Sequence, residues 1–416
     1  MSTLSPHRNF CSLGDLCQLI GGGTPSKKNE DFYKGDIPWA TVRDMKHDVI
    51  TRTDFKITED AVKNSSTNII KAGNVVIATR VGLGKISIID QDTAINQDLR
   101  GVVPKSTEVL TVRYLFWWLK SVAHRIEQEG TGATVKGVKL PFVKSLQIPL
   151  PSLSEQKRIV AILDEAFAGI DQAITNTEKN LAHAREVFES YLNSVFTRKG
   201  VGWVDKKLGD ICSIKHGFAF KSKFFSNDGE YIVLTPGSFY EKGGFRDQGK
   251  KIKYYLGEIP DAYILSKGDF LIAMTEQAAG LLGSSLIVPA ANRFLHNQRL
   301  GLVQINDETV WDNDFFHHQF NTQYFRNSVQ KTASGVKVRH TSPKKLADIS
   351  ISFPTKLSAQ KKISAQLNKM ESEIQHLQSI YQKKLNALAE LKQSILQKAF
   401  TGELTHSPEQ ELAEVC

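Results

Sequence analysis

The residues in this chain best suited to chemistry are basic and amide side chains in or beside turns. In the first half, Lys27, Lys28, Lys85, Lys136 and Lys139 lie in turn-rich stretches, where an ammonium on a flexible stem suits a phosphate oxygen. Arg43 and Arg80 follow strand-like runs, and a guanidinium held there suits the hydrogen-bonding edge of guanine. Lys215, Lys221, Lys223, Lys337 and Arg339 take comparable places in the second half. Asn96-Gln97 and Asn297-Gln298 carry amides of the kind that pair with adenine, and equally of the kind that form turns. Any one of these charges is also what a solvated surface carries.

Patterns that would build a catalytic centre are missing. Gly82-Leu-Gly-Lys85 has the ending of a phosphate-binding loop, but the first glycine would fall at Thr79. There is no Asn/Asp-Pro-Pro-Tyr/Phe of the kind that holds a target adenine, no H-E-x-x-H and no G-x-S-x-G. Pro260-Asp261 has no Glu-x-Lys nearby, so a metal-dependent nuclease lacks support. His317 and His318 are neighbours, which on a helix point ~100° apart and do not form a metal pair. Cys11, Cys17, Cys212 and Cys416 form no C-x-x-C, so neither a zinc site nor a disulfide scaffold is expected; they read as small apolar residues in a reducing cytosol.

Ordinary hydrophobic (41%) and charged (23%) content excludes wholesale disorder over the 416 residues. No apolar run is long enough to cross a membrane, and the first residues lack the apolar core of a secretion signal, so a cytoplasmic protein is expected.

Internal similarity organises the rest. Leu13-Gly-Asp-Leu-Cys17 returns as Leu208-Gly-Asp-Ile-Cys212, and Gly73-Asn-Val-Val-Ile-Ala78 as Gly268-Asp-Phe-Leu-Ile-Ala273, both 195 residues on. Asn96-Gln97 returns at 201, and Ile148-Pro-Leu-Pro151 at 203 as Ile351-Ser-Phe-Pro354. Ser154-Glu-Gln-Lys-Arg-Ile159 returns at 204 as Ser358-Ala-Gln-Lys-Lys-Ile363, and that offset holds to Phe196 and Phe400. The chain is one unit written twice, with a first part that tolerates insertions and a second part held to length.

That second part is helical. Ser152-Leu-Ser-Glu155 suits a capping box, and apolar residues follow at three- and four-residue steps: Ile159, Leu163, Ala166, Ile170, Ile174, Leu181, Ala184, Phe188, Tyr191 and Val195. The second copy runs Ile363, Leu367, Met370, Ile374, Leu377, Tyr381, Leu385, Leu388, Leu391 and Ile395. About 44 residues make ~66 Å of helix, whose stripe must be buried. The two helices are expected to pair with each other; the alternative is that they pack separately on their own domains. The first part of each unit reads as α+β: short strands such as Asn74–Ala78, Ile86–Ile89, Gly101–Val103, Tyr231–Leu234, Phe270–Ala273, Leu286–Val288 and Gly301–Ile305, then a helix near Val112–Glu129 and another near Trp311–Thr332. The expected domains are 1–153 and 201–357, helices 154–200 and 358–402, and a loose acidic tail 403–416.

The net charge of +9 is divided evenly where it matters: +5 on 1–153, +5 on 201–357, −1 and +4 on the helices and −4 on the tail. Equal basic charge on two related domains points to two similar contacts with one long anion.

The junction motifs Gly132-Ala-Thr-Val135, Leu146-Gln-Ile-Pro-Leu-Pro151, Ser154-Glu-Gln-Lys-Arg-Ile159 and Phe400-Thr-Gly-Glu-Leu404, with the openings Leu13-Gly-Asp-Leu-Cys17, Gly22-Gly-Thr-Pro25 and Ile37-Pro-Trp39, resemble the specificity subunits of type I restriction-modification systems. The resemblance covers nearly the whole chain. It implies two target-recognition domains, each followed by a long helix, with the helices paired as an antiparallel coiled coil. Each domain would read half of a split double-stranded DNA target while the helices set the spacer. The chain itself would be non-catalytic and bind no cofactor. Methyltransferase subunits, two of them, would bring S-adenosylmethionine, and restriction-translocase subunits would use ATP and Mg. Ile159, Leu163, Ile170, Ile174, Leu181, Phe188, Leu367, Ile374, Leu377, Leu388 and Ile395 would then form the seam or dock partners. The second copy departs from the pattern at Ser358-Ala-Gln360 and at His216-Gly-Phe-Ala-Phe220. The competing reading is a protein-interaction scaffold built on the helices, its basic domains incidental; a third is a self-contained nucleic-acid-modifying enzyme.

Overall fold

The computed structural model describes residues 9–132, 136–276 and 280–404. They fall into two compact units: residues up to Thr177 together with those from Lys383 on, and Glu178–Gln382.

In the first unit, β1 (Cys17–Gly21), β2 (Val75–Ala78), β3 (Ile86–Ile89) and β4 (Leu99–Pro104) form an antiparallel sheet in the order β1-β4-β2-β3, with the short strand Val49–Ile50 joining β3 in parallel. A second sheet contains the parallel pair Ile37–Ala40 and Thr93–Ile95. Strands β2 and β3 are buried throughout, as expected of uninterrupted β-branched runs covered on both faces. Against them lies α1 (Val112–Gln128), in which Tyr114 to Leu119 are all buried. A helix buried in consecutive residues must be covered on more than one side. Here α2 (Leu153–Arg198) supplies the other cover: Arg113 pairs with Asp164, which also accepts from Trp117 Nε1 (2.7 Å), and Phe167 meets the Trp117 ring at 4.5 Å.

The second unit repeats this plan. β5 (Cys212–His216), β6 (Phe270–Ala273), β7 (Ser285–Ile287) and β8 (Leu300–Ile305) are ordered β5-β8-β6-β7, and Tyr231–Leu234 runs parallel to Phe294–His296. Even the register recurs: Ala78 faces Leu99 and Cys17 faces Pro104, as Ala273 faces Leu300 and Cys212 faces Ile305. Cys17 and Cys212 hold the same buried place, and burial pushes both thiols up to about 12, so they act as small apolar side chains.

One expected element divides. The helix read near Trp311–Thr332 is α3 (Asn313–Phe320) followed by α4 (Gln323–Thr332). Thr322 breaks it: its hydroxyl donates to Gln319 O (2.7 Å) and caps α4 by accepting from the Phe325 N–H (3.3 Å). Apolar periodicity continues across the break because Phe320 and Phe325 stack at 4.1 Å.

The long helices are unbroken: α2 over 46 residues and α5 (Leu357–Thr401) over 45. Ser152 caps α2 by accepting from the Glu155 N–H (3.4 Å). In the first unit the two pack antiparallel: Ile159 and Leu163 share a core with Leu396 and Ala399, and Lys392 pairs with Asp171 and lies over the Phe167 ring. The buried stripe is displaced by one residue in places. Phe167, Leu192, Leu396 and Ala399 are buried where Ala166, Tyr191 and Ile395 were expected to lead, because each helix packs on its globular part as well as on a helix. Ile159, Leu163, Ile170 and Leu367 are buried; Ile174, Leu181, Phe188, Ile374, Leu388 and Ile395 are half-buried. Leu377 leaves the seam and is exposed.

A buried glutamine ties each helix start to its globular part. Gln156, fully buried, accepts from the Thr111 N–H (2.9 Å) and donates to Val109 O (2.8 Å) and Pro151 O (3.1 Å). Gln360 does the same with the Asp312 N–H, Val310 O and Pro354 O, each at 2.9 Å. The change from Glu155 to Ala359 therefore leaves the working part of the motif intact.

Candidate nucleic-acid interface

In each unit the connections at one end of the main sheet converge on a turn that begins with the Asn-Gln pair. Asn96 Oδ1 accepts the Asp98 N–H (3.1 Å), and Asn297 Oδ1 accepts the Arg299 N–H (3.0 Å). Both asparagines are buried. Of the two sequence readings, turn formation is the one their side chains serve, and they are withdrawn from any base edge. The chain leaving the first strand crosses directly over this turn. A Cβ on Gly22 would lie 2.0 Å from Asn96 O, and one on Gly217 would lie 2.1 Å from Asn297 O. Only glycine permits that approach. The His216-Gly-Phe-Ala-Phe220 departure therefore keeps the glycine that the geometry demands.

Gln97 and Gln298, next in line, are exposed; Gln97 Oε1 accepts from the Thr24 hydroxyl. Opposite the turn, the backbone N–H of Thr79 donates to Asp98 O (2.9 Å), and that of Met274 donates to Arg299 O (3.0 Å). The next residue, Arg80 or Thr275, bridges to Gly137 or His340, and these bridge in turn to Thr131 or Ser334. The same three connections meet in both units.

In the first unit this rim is basic. Arg80 is exposed with its Nε 3.9 Å from Asp98. Arg100 donates to Leu99 O (2.8 Å) and Gln97 O (3.2 Å), and its pKa is lowered first by burial and then by the charge of Arg80. Two guanidiniums this close raise the local positive potential, which favours an anion. Val81 holds a φ of 39°, a left-handed conformation that a β-branched residue adopts only under constraint. The loop it opens reaches Val42, since a Cβ on Gly82 would lie 2.8 Å from Val42 Cγ1, which places Arg43 and Lys85 at the same end. Lys136 and Lys139, both exposed, flank Gly137. Lys27 and Lys28 are exposed on the Ser26–Asn29 turn, outside the contacts that gather the rest. The Ala-Thr-Val of the Gly132–Val135 motif lies outside the described residues.

A family model for the type I restriction modification DNA specificity domain matches the chain twice, over residues 9–182 and 200–384. The chain belongs to that family. It is 29% identical over 226 residues to the type I restriction enzyme MjaIX specificity subunit of Methanocaldococcus jannaschii (49% of this chain, 51% of that one). It is 32% identical over 194 residues to the EcoR124I/EcoR124II specificity subunit of Escherichia coli (45% and 47%). These alignments span about half the length of either relative. The MjaVIII specificity subunit of M. jannaschii aligns over 94% of this chain and 92% of its own length at 22% identity. Two solved chains share the fold. One comes from work on complex assembly and conformational transition of the type I R-M system (TM-score 0.77, 19% identity, 97% of this chain and 100% of that one). The other is the HsdS subunit from Thermoanaerobacter tengcongensis (TM-score 0.58, 18% identity, 97% and 98%).

Within this specificity chain the second rim is built differently. Lys221, Lys223 and Lys337 are exposed, Lys223 lying over the Phe224 ring. Two expected contacts are spent inside the protein. Lys215 donates to Ala262 O (2.7 Å) over the Tyr263 ring, and half-buried Arg339 donates to Gln330 O (2.7 Å). The position of Val81 holds buried Glu276, whose Oε2 accepts the N–H groups of Gly280, Leu281 and Leu282 at 2.9–3.0 Å while Oε1 accepts from Gln330 (2.9 Å). Burial works to raise its pKa, but these hydrogen bonds outweigh it and hold the carboxylate below its ordinary value. Sequence reasoning missed Arg100 and exposed Arg299. Their signal was adjacency to the Asn-Gln pairs, and the matching residue Asp98 hid Arg299 because it is acidic.

Proposed function

We propose that this chain is the DNA-reading, non-catalytic subunit of a type I restriction-modification complex, each globular part reading one half of a split target. The observation that supports it best is the repeated rim: one backbone frame, held by the same glycine and asparagine, presenting different exposed side chains in each unit. Two related domains in one polypeptide match the twofold relation between DNA strands, and their different side chains call for different half-sites. The long helices would set the spacer. They carry exposed apolar residues suited to docking methyltransferase subunits, two of them, among these Val187, Tyr191, Leu377 and Ile380. S-adenosylmethionine, ATP and Mg would belong to the methyltransferase and translocase partners.

Phosphate contacts by rim lysines predict steep salt dependence. The complex with its methyltransferase subunit should lose DNA affinity by roughly one log–log unit per phosphate contact as salt rises. Salt-insensitive binding, or none, would favour a protein-docking scaffold instead.

A further inference from the structure

We propose that Arg299 reads a guanine in the half-site taken by the second unit, filling the place that Arg80 holds in the first. The inference rests on the reading above, that the chain reads a split DNA sequence. The two arginines do not correspond in sequence: Arg80 aligns with Thr275, and Arg299 aligns with Asp98. They correspond in place. Thr79 donates to Asp98 O at 2.9 Å and Met274 donates to Arg299 O at 3.0 Å, so the strand end and the Asn-Gln turn face each other across the same step. The first unit puts arginine on the strand side and an acid on the turn side. The second puts threonine on the strand side and arginine on the turn.

The turn position is used differently in the two units. Asp98 is spent inside the first unit, where it accepts from Asn96 Nδ2 (3.2 Å) and lies 3.9 Å from Arg80 Nε. Arg299 at the same turn position is exposed, and the major-groove edge of guanine offers the two acceptors that a guanidinium fits. Arg299 is also fixed at its base. Its N–H is held by Asn297 Oδ1 and its carbonyl by Met274, while its side chain is exposed. A planar guanidinium carried on a fixed backbone suits the bidentate geometry that guanine requires. Arg339, the arginine among the second unit's candidate contacts read from the sequence, is committed to Gln330 O.

The test uses the full chain co-expressed with its methyltransferase subunit, with methylated adenines mapped genome-wide for the unaltered chain, R299A and R299K. R299A should leave the first half-site unchanged and reduce discrimination at one G·C pair of the second by roughly ten- to a hundredfold, with R299K keeping part of it. An unchanged second half-site in R299A would overturn the inference. So would uniform weakening across all sequences with a salt slope reduced by about one, the mark of a phosphate contact. An unaltered chain giving no split motif would overturn the functional reading and this inference with it, a result distinct from either of the others.

Discussion

The two sheet-end rims share the close approach and the turn at their centre and differ in most of the side chains around it. Gly22 and Gly217 make the same close approach, Asn96 and Asn297 the same turn, and Gln156 and Gln360 the same triple clamp. Around that frame, Arg80 with Asp98 gives way to Thr275 with Arg299, and strained Val81 gives way to buried Glu276. Backbone geometry tolerates no substitute at the frame positions, whereas an exposed rim position costs little to change. A recognition fold organised this way can alter what it reads without altering how it folds.

The sharpest attempt to break that comparison is at the glycines. A Cβ 2.0 or 2.1 Å from a backbone oxygen leaves neither side free to yield. Gly22→Val should destabilise the β1–β4 sheet, and Gly217→Val the β5–β8 sheet, each by about 3 kcal/mol or more. Hydrogen exchange resolved by segment checks it. If one variant is tolerated and the other is not, the frame is not shared.

A graded effect, spread over a pH window, separates the units further. Buried His296 and half-buried His317 stand where the first unit has Ile95 and Phe116. Burial pushes His296 down to about 4; its Nε2 bond to Leu300 O opposes this, and the charges of Lys215 and His216 assist it. Burial, then His318, bring His317 to about 4 as well. Unfolded histidine protonates near 6.5, so between 6.5 and about 4 the unfolded chain binds more protons and stability falls as pH falls. The second unit should lose up to about 3 kcal/mol per histidine across that window, a loss the first unit does not share. Exchange rates in β5–β8 and β1–β4 compared at pH 7 and pH 5 would show it; equal softening would contradict the assignment.

Much of the frame was legible from the sequence alone. The drifting offsets located the repeat, β-branched runs marked the strands, and three- and four-residue spacing marked the long helices. The break at Thr322 was hidden because apolar spacing continues through it and the capping hydroxyl looks like any other. The seam slipped by a residue at Phe167 and Leu192 because periodicity shows a stripe but not how many partners share it. The rim was legible only as a region. Lys215 and Arg339 were matched to the first unit by residue type, and type does not reveal that a charge is already satisfied by a nearby carbonyl. Arg299 was missed for the opposite reason, since its aligned neighbour carries the other sign.

The central claim is that two copies of one frame read two different half-sites. Replacing residues 9–149 by the corresponding part of another specificity chain, then mapping methylated adenines in cells carrying the methyltransferase subunit, tests it most directly. The account predicts a split motif in which one half changes while the other half and the spacer length stay as they were. A motif that changes in both halves, or a continuous motif with no spacer, would contradict it.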